Sequence, residues 1–344
     1  MRPPFEMAGN KPSLFITADY ELFLGGSSGS LDASIFTPLE RLAGLLERYD
    51  RKLTIFVDIL MIWRMMTESE NVPILRNDVD RIKHNLQDLL KRGHSLQLHL
   101  HTQWLDAECL KGRWTFPSYE RYSLPQLSAD PDAQRWDTIA GCVKRSKGLL
   151  DEIGREVISN YSVTAFRAGG LCVQPFAAIR KALHENGLTI DSSVAPGLRH
   201  ADAVRDYDFT RAPDKDCWRF GEEPTIEEPN GPFEEIPILT FEATLVDKIA
   251  SQLKRRLSPT SNNPWGDGQG LQASKRLWTD RLRLTPAVLT YDYWPAEVIH
   301  RELSRKVQRG WRRLVLLGHP KYLSPYGLRQ LEKVLSKAKT SGWA

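Results

Sequence analysis

The feature that most constrains this 344-residue chain is an alternation of short apolar runs with amphipathic helical patterns. Seven of the runs have the length and composition of β-strands, and they are Leu14–Thr17, Leu53–Ile59, Ser95–His101, Val163–Arg167, Leu188–Asp191, Glu235–Leu239 and Leu314–Gly318. Alternating strands and helices form parallel sheets joined by right-handed crossovers. The number of units predicts an α/β fold that is a barrel or an incomplete barrel, rather than a small doubly wound sheet.

Helical patterns separate several of these runs, with apolar residues spaced three and four positions apart. They cover residues 37–49, 79–92, 136–153 and 175–186. Two segments lack such regularity, one near 105–131 and the other near 196–285. We therefore expect a single domain over residues 1–344, interrupted by these two irregular insertions.

The composition, with 41% apolar and 26% charged residues, is that of an ordinary soluble globular protein. Met1–Lys11 has no apolar segment typical of a signal peptide, and no apolar run approaches the ~18 residues of a membrane span. Both observations predict a cytoplasmic protein without a transmembrane segment. The cysteines lack a CxxC spacing, which predicts reduced structural thiols at Cys109, Cys142, Cys172 and Cys217.

The net charge of +4 hides an uneven distribution of charge along the chain. Residues 251–344 contain 18 Lys and Arg residues against 6 Asp and Glu residues, and part of this charge lies in Lys275–Arg283. One explanation is solvated helix faces. The other is attraction to the phosphate of a nucleotide-sugar, to a lipid pyrophosphate or to an anionic membrane surface.

Under the second explanation, we expect the basic residues that flank the last strand to lie near the functional pocket, and these are Arg305, Lys306, Arg312 and Arg313. No recognised nucleic-acid-binding motif accompanies the charge. Nucleic acid is therefore not an expected partner.

Two histidines end the third apolar run, at His99 and His101. Alternate residues of a strand point to the same face, so both imidazoles are expected to project together from one strand end. Asp19 and Glu21 share a face in the same way at the end of the first run. Two histidines and a carboxylate can hold a metal ion and leave positions open for water and substrate. The alternative is that either imidazole only hydrogen-bonds a backbone carbonyl group.

Three further polar residues end apolar runs. An inward-facing Arg167 needs a carboxylate partner, which Asp19 could provide. The alternative, for both Arg167 and Asp191, is an exposed position before a turn. His319 follows a fully apolar run, which is typical of a strand buried on both faces. Parallel α/β folds carry their catalytic groups at the carboxyl ends of such strands, which predicts a catalytic role for His319. The alternative for His319 is a structural role.

In this order, the segments resemble four motifs of the polysaccharide deacetylase family, the chitin- and peptidoglycan-deacetylase-like hydrolases with a distorted (β/α)7 barrel. The matching segments are Thr17–Glu21, His99–Gln103, Phe166–Gly170 and Leu316–His319. The family's counterparts are Thr-Phe-Asp-Asp, His-Ser/Thr-x-x-His, an arginine motif and Leu-x-His. The strings DYELF, QLHLH, FRAGG and GHPK look especially similar to a subgroup associated with surface-polysaccharide and lipopolysaccharide gene sets. The resemblance covers about residues 13–194 and 313–323.

The resemblance implies catalytic roles for three residues. Asp19 would be the base, Arg167 would orient it, and His319 would be the acid. It also implies a divalent metal ion held by Glu21, His99 and His101. Zinc is the expected ion, with nickel, cobalt, manganese or iron as alternatives. A carbohydrate site also needs aromatic platforms, for which the candidates are Trp104, Trp114 and Tyr119.

Two motif positions differ from the family pattern. Tyr20 replaces the second aspartate of the first motif, so Asp19 or Glu21 must take over metal binding. Gln103 replaces the second motif histidine, and His101 must take its place. Gln103 and Asp191 are additional candidates for the metal or the site.

The resemblance implies a metal-dependent hydrolase that removes an N-acetyl or similar acyl group from an amino sugar of a surface polysaccharide or its precursor. In the cytoplasm, the carbohydrate substrate would be nucleotide- or lipid-linked. Two alternatives are another amide or imide hydrolase on the same scaffold and a non-catalytic glycan-binding or assembly protein with an eroded metal site. The replacements at Tyr20 and Gln103 favour the last of these.

Overall fold

An eight-stranded sheet forms the centre of the computed structural model, which describes residues 4–7, 9–110, 112–256, 259–271 and 285–343. In chain order, the strands are β1 (Ser13–Tyr20), β2 (Leu53–Asp58), β3 (Ser95–Leu100), β4 (Ala165–Ala168), β5 (Ile190–Asp191), β6 (Trp218–Phe220), β7 (Phe233–Glu235) and β8 (Arg313–Gly318). Their spatial order is β6-β7-β5-β4-β3-β2-β1-β8. Neighbouring strands are parallel except β6 and β7. The carboxyl ends of seven parallel strands therefore meet at one edge.

The sheet curls until the segment that follows β7 reaches β8. The backbone N–H of Ile236 donates to the carbonyl oxygen of Asp191 in β5 (2.9 Å), and that of Leu239 donates to Val315 in β8 (3.1 Å). Between them, Ile238 donates to Val194 (2.9 Å). These hydrogen bonds close the curled sheet without a regular strand pair. The predicted α/β class and distorted seven-stranded barrel are confirmed.

Helices cover the outside of the curled sheet. In the described part of the chain they are α1 (Thr37–Arg48), α2 (Ile59–Glu68), α3 (Ile74–Lys91), α4 (Ile139–Arg155), α5 (Phe176–Glu185), α6 (Leu245–Arg256), α7 (Ala296–Gln308) and α8 (Pro325–Thr340). A π-helical turn, Asp32–Phe36, precedes α1, and a one-turn helix, Pro259–Asn262, follows α6. No described helix is long and apolar enough to cross a membrane.

Local sequence explains where these helices begin. The pattern over 136–153 predicted a start at Trp136, but α4 begins at Ile139 because Thr138 caps it: the Thr138 hydroxyl oxygen accepts a hydrogen bond from the Gly141 N–H (3.0 Å). The pattern over 79–92 likewise missed the first turn of α3, which starts at Ile74. In α1, the apolar spacing predicted over 37–49 corresponds to four buried leucines, Leu39, Leu42, Leu45 and Leu46.

The two faces of the sheet bury different residues. In β1, Ile16, Ala18 and Tyr20 point outward into the large core beneath the helices. Inside the barrel, a smaller apolar cluster contains Phe5, Phe56, Ala165, Ile236 and Val315. Because strand residues alternate between faces, Thr17 and Asp19 point into the barrel interior. The smaller cluster therefore forms an apolar floor beneath the polar edge.

The second irregular insertion differs from its sequence prediction. The strand predicted over Glu235–Leu239 is instead Phe233–Glu235, because residues 236–239 cross from β5 to β8. The insertion also contains β6, α6 and the hairpin Arg199–Ala201 with Asp206–Asp208. Its stretch 272–284, which includes the basic Lys275–Arg283, lies outside the described residues. Organisation as one catalytic domain stays a prediction.

Candidate metal and catalytic site

Five polar side chains from β1, β3 and β8 converge at the carboxyl edge of the sheet. His99 Nε2 lies 3.6 Å from Glu21 Oε2 and 3.9 Å from Asp19 Oδ2. His101 Nε2 lies 2.6 Å from Glu21 Oε2. His319 Nε2 lies 3.6 Å from Asp19 Oδ2 and 3.7 Å from Glu21 Oε1. The His319 side chain is 24% exposed while the other four are almost fully buried, so the cluster opens to solvent beside His319.

The donor atoms fit a small divalent cation. Ligand atoms of Glu21, His99 and His101 all lie within 4.8 Å of one another. His99 Nδ1–H donates to the carbonyl oxygen of Arg167 (2.8 Å), which leaves Nε2 facing the carboxylates, where it has no hydrogen-bond partner among the described residues. Metal-binding histidines are commonly oriented in this way. Tetrahedral zinc with bonds of about 2.0–2.1 Å separates its ligands by about 3.3 Å, close to the 3.6 Å between His99 Nε2 and Glu21 Oε2. The 2.6 Å between His101 Nε2 and Glu21 Oε2 is a hydrogen-bond distance, so these two groups must move apart to bind the same ion.

Each carboxylate of the cluster has its own buried cation. Arg167 Nη1 donates to Asp19 Oδ1 (2.7 Å), and Lys321 Nζ lies 2.9 Å from Glu21 Oε1. The remaining oxygens, Asp19 Oδ2 and Glu21 Oε2, face His99. The sequence analysis gave Lys321 no role, although it follows His319 by two positions in the GHPK string. Its position two residues after His319 was the sequence signal that could have placed Lys321 at the site.

Arg167 is held in one orientation by its surroundings. Its Nε donates to the Ser192 carbonyl oxygen (2.9 Å), and its Nη2 donates to the Ser192 hydroxyl (3.2 Å). Nη1 also donates to Thr17 Oγ1 (3.2 Å), and the guanidinium lies 3.9 Å from the ring centre of Phe56. These contacts fix the guanidinium, which in turn fixes the Asp19 carboxylate.

The electrostatics of the cluster favour a bound cation. Burial opposes ionisation of Asp19 and Glu21, yet Arg167 holds the pKa of Asp19 below its usual value, and Lys321 and His101 hold the pKa of Glu21 well below. Burial also opposes protonation of His99, but the two carboxylates raise its pKa to about 9. The attraction that raises the pKa of His99 also acts on a metal cation at this position.

Asp58, which the sequence analysis missed, anchors the turn after β3. Its carboxylate accepts hydrogen bonds from the indole Nε1–H of Trp104 (2.7 Å) and from the backbone N–H of His101 (3.3 Å). Burial raises the pKa of Asp58 to about 6. Asp58 is the last residue of β2 and His99 is the last but one of β3, and this position at a strand end was the signal for Asp58.

The structure corrects the proposed aromatic platforms. Trp104 is fully buried and Trp114 is 2% exposed, and the two rings pack edge to face in the core. Neither offers a ring face to a sugar, because both rings are buried. Trp114 itself lies in the hairpin that pairs Glu108–Leu110 with Arg113–Thr115. Tyr119 is half-buried, and its hydroxyl donates to the Leu24 carbonyl oxygen (3.3 Å).

Tyr322 is an exposed ring beside the cluster. It is 42% exposed, and its ring centre lies 5.8 Å from that of His319. An edge-to-face contact with Phe23 holds the other side of the ring. Tyr322 lies in the short 3₁₀ helix Pro320–Tyr322, directly after His319, and so forms part of the entrance.

The two additional candidates lie in different surroundings. Gln103 is fully buried, and neither polar atom of its side chain has a hydrogen-bond partner among the described residues. Asp191 accepts a hydrogen bond from the Ser193 hydroxyl (2.7 Å) and pairs with Glu235 across β5 and β7. Among the described residues, two groups have potential ligand atoms within 4.8 Å of one another: Glu21, His99 and His101, and Asp19, Glu21 and His319. Asp191 belongs to neither group.

The basic residues around β8 do not lie near the cluster, which corrects the expectation for Arg305, Lys306, Arg312 and Arg313. They precede the strand or begin it, whereas His319 follows its other end. Lys306 pairs with Asp214 (2.5 Å), and the backbone N–H groups of Arg312 and Arg313 donate to Asp216. A six-residue strand spans about 20 Å, so a phosphate at the site cannot reach them.

The buried Asp191–Glu235 pair predicts a pH-dependent stability. Burial and the neighbouring Asp191 raise the pKa of Glu235 well above its usual value. Its folded-state pKa thus exceeds the unfolded value of about 4.3, so its stabilising effect is present below that pH and is lost as the pH rises. We expect the melting temperature of the wild type to fall more between about pH 5 and 8 than that of Glu235→Gln. In terms of the free energy of unfolding, the pH slopes of the wild type and Glu235→Gln should differ by at most about 1.4 kcal/mol per pH unit.

The neighbouring Glu234, whose side chain is 32% exposed, provides the control. Glu234→Gln should leave the pH profile of the wild type unchanged. Parallel profiles for the wild type and Glu235→Gln would show that Glu235 is ionised in the folded protein.

No protein-family model and no curated protein matches the chain. Among solved structures, it is similar to a Mycobacterium smegmatis protein assigned as a polysaccharide deacetylase, with 14% identity, a TM-score of 0.46 and coverage of 98% of this chain and 87% of the other. It is also similar to a Bacillus cereus polysaccharide deacetylase, with 11% identity, a TM-score of 0.37 and coverage of 97% of this chain and 90% of the other. An allantoinase is similar with 12% identity, a TM-score of 0.46 and coverage of 99% of this chain and 88% of the other. Similarities this distant carry no weight for the activity of this chain.

Proposed function

We propose that the protein is a metal-dependent amide hydrolase that removes an N-acetyl or similar acyl group from an amino sugar. The observation that carries this proposal is the convergence of Asp19, Glu21, His99, His101 and His319 on one buried cluster. The cluster combines a histidine–carboxylate donor set, a second carboxylate held by an arginine, and a histidine at the solvent opening. Metal-assisted amide hydrolysis uses these three functions together.

The residues divide into a metal-binding set and a proton-transfer set. Glu21, His99 and His101 would hold the ion, which when bound polarises the acyl carbonyl and lowers the pKa of its water. Asp19 is assigned the base because Arg167 occupies one of its oxygens and keeps it ionised. The other oxygen is free to accept a proton from the attacking water.

His319 is assigned the acid that protonates the leaving amine. Its Nε2 faces both carboxylates, and its Nδ1 lies 3.6 Å from Asp292 Oδ2. The same Asp292 oxygen accepts a hydrogen bond from the backbone N–H of His319 (2.9 Å). Burial opposes protonation of His319, but Asp292 and the carboxylates raise its pKa, which favours the proton-donating form.

Zinc suits two imidazoles and a carboxylate, with nickel, cobalt, manganese and iron as alternatives. Elemental analysis of the purified protein tests the proposal most directly. We expect about one divalent ion per chain, loss of activity on chelation, and recovery on adding the ion back. A chain that binds none of these ions would contradict the proposal and favour a glycan-binding or assembly protein.

Tyr322 provides a test of the substrate class. If its exposed ring packs against a sugar, Tyr322→Ala should raise KM for an N-acetylated amino-sugar oligomer about tenfold, with little change in kcat. Tyr322→Phe keeps the ring and should keep KM. An equal effect on a small cyclic amide would favour the second candidate function, an amide or imide hydrolase without carbohydrate specificity. The small exposed fraction of the cluster, in which His319 is 24% exposed and the other four side chains are almost fully buried, is the observation that favours that candidate.

Association with lipopolysaccharide synthesis, a cytoplasmic location and a nucleotide- or lipid-linked substrate stay parts of this proposal. Activity measurements on free, nucleotide-linked and lipid-linked amino sugars distinguish among the substrate forms. A preference for free oligomers would contradict action on a precursor.

A further inference from the structure

Helix α6 presents an apolar stripe to solvent. Val246 is 74% exposed, and Ile249 and Leu253 are each 54% exposed. At 3.6 residues per turn, these side chains lie along one face of the helix, together with the partly exposed Leu245. Single exposed apolar residues are common, but a contiguous stripe indicates an interaction surface.

The opposite face of α6 is polar and is held against α7. Asp247 and Ser251 are buried, and Arg301 Nη1 lies 2.9 Å from Asp247 Oδ1. Near the other end of the helix, Lys254 Nζ lies 2.9 Å from Glu297 Oε2. A surface helix ordinarily buries its apolar face, so α6 has the reverse orientation.

The start of α6 is well defined. The Thr244 hydroxyl oxygen accepts a hydrogen bond from the Asp247 N–H (3.1 Å), and the Asp247 carboxylate accepts one from the Thr244 N–H (3.1 Å). This reciprocal cap fixes the first turn. Together with the two ion pairs, it sets which face of the helix points outward.

The charges on α6 indicate what covers the stripe. The helix carries four basic residues and one acidic residue, and the acidic residue is the buried Asp247. Lys248 borders the stripe, and the exposed Arg256 lies on the same face as the stripe, three positions after Leu253 and seven after Ile249. A second copy of the chain on this stripe would bring like charges together. An apolar face with basic borders suits an anionic membrane surface.

We propose that the α6 stripe binds the surface of a membrane that contains anionic phospholipid. The helix would lie in the plane of the interface, with Val246, Ile249 and Leu253 among the upper acyl chains. This use also gives a role to part of the basic charge of residues 251–344.

The attachment would bring the catalytic opening close to the membrane. Lys254 pairs with Glu297 in the first turn of α7, and the preceding Asp292 accepts the hydrogen bond from His319. A lipid-linked amino sugar would then be the natural substrate class. This extension rests on the proposed function, whereas the membrane attachment does not.

Co-sedimentation with phosphatidylcholine vesicles, with and without phosphatidylglycerol, tests the attachment. We expect the full chain to bind the mixed vesicles, more weakly as salt rises, and to bind pure phosphatidylcholine poorly. Val246→Ser combined with Ile249→Ser should weaken binding at least about tenfold, because two large apolar side chains no longer enter the interface. Circular dichroism confirms that the variant is folded.

The matched control is Ile74→Ser combined with Ile226→Ser, which removes two exposed isoleucines elsewhere on the surface. It should bind as the wild type does. Equal binding by the α6 variant, or no binding by the wild type, would overturn the proposal. A wild-type dimer that the α6 variant dissociates would overturn it in favour of a second copy. None of these experiments measures turnover, so a result that contradicts membrane binding would not contradict the proposed hydrolase activity.

Discussion

His99→Ala is expected to lose the metal ion and turnover together. The substitution removes a fully buried imidazole whose Nε2 faces both carboxylates and has no hydrogen-bond partner among the described residues. Asp19→Asn and Arg167→Ala should instead retain the metal and lose turnover by about 10²- to 10⁴-fold, since they remove the base or its orientation. Elemental analysis and steady-state kinetics on the three variants measure this difference.

His200→Ala is the control for a histidine lost outside the site, because His200 pairs with Asp202 in a surface hairpin. Its metal content and turnover should match those of the wild type. Equal metal loss in His99→Ala and Arg167→Ala would show that the arginine is essential to metal binding, contrary to its assignment as the group that orients Asp19.

Arg167→Met is expected to destabilise the metal-free protein by about 3–5 kcal/mol. The side chain is completely buried, and its loss leaves the buried Asp19 carboxylate without its closest cation. Combining Arg167→Met with Asp19→Asn removes both charges, so the double variant should recover much of the loss. Urea unfolding of the two single variants and the double variant, in the presence of a chelator, measures the effect.

The exposed pair Arg48–Glu332 is the matched control, with side chains 62% and 44% exposed. Arg48→Met should cost less than about 1 kcal/mol, because water screens that pair. If the Arg167 and Asp19 substitutions were simply additive, the two groups would not be coupled in the folded protein.

Much of the site could be predicted from the sequence because regular strands supplied it. Asp19, His99 and Arg167 lie on strands whose apolar pattern defines both their direction and their inward face. Parallel strands bring such ends to one edge, so their proximity followed from the alternation of strands and helices. His319 was placed by the same reasoning, one residue beyond β8.

The remaining residues could not be predicted because their positions depend on turns and long-range packing. Lys321 reaches Glu21 only through the short helix after β8, which has no periodic signal. Trp104 and Trp114 are equally suited by composition to a sugar platform or a core, and burial alone decides between them. The strand near Glu235 was misplaced because an apolar run can cross between strands as easily as it can form one.

The two buried cations at the site have a consequence for how the protein is assembled. If a metal ion were the only counter-charge for Asp19 and Glu21, the barrel could not close until the ion arrived, and folding would depend on metal supply. Arg167 and Lys321 already neutralise one oxygen of each carboxylate from within the chain. If the protein binds a metal ion as proposed, newly made chains can therefore fold first and take up the ion afterwards.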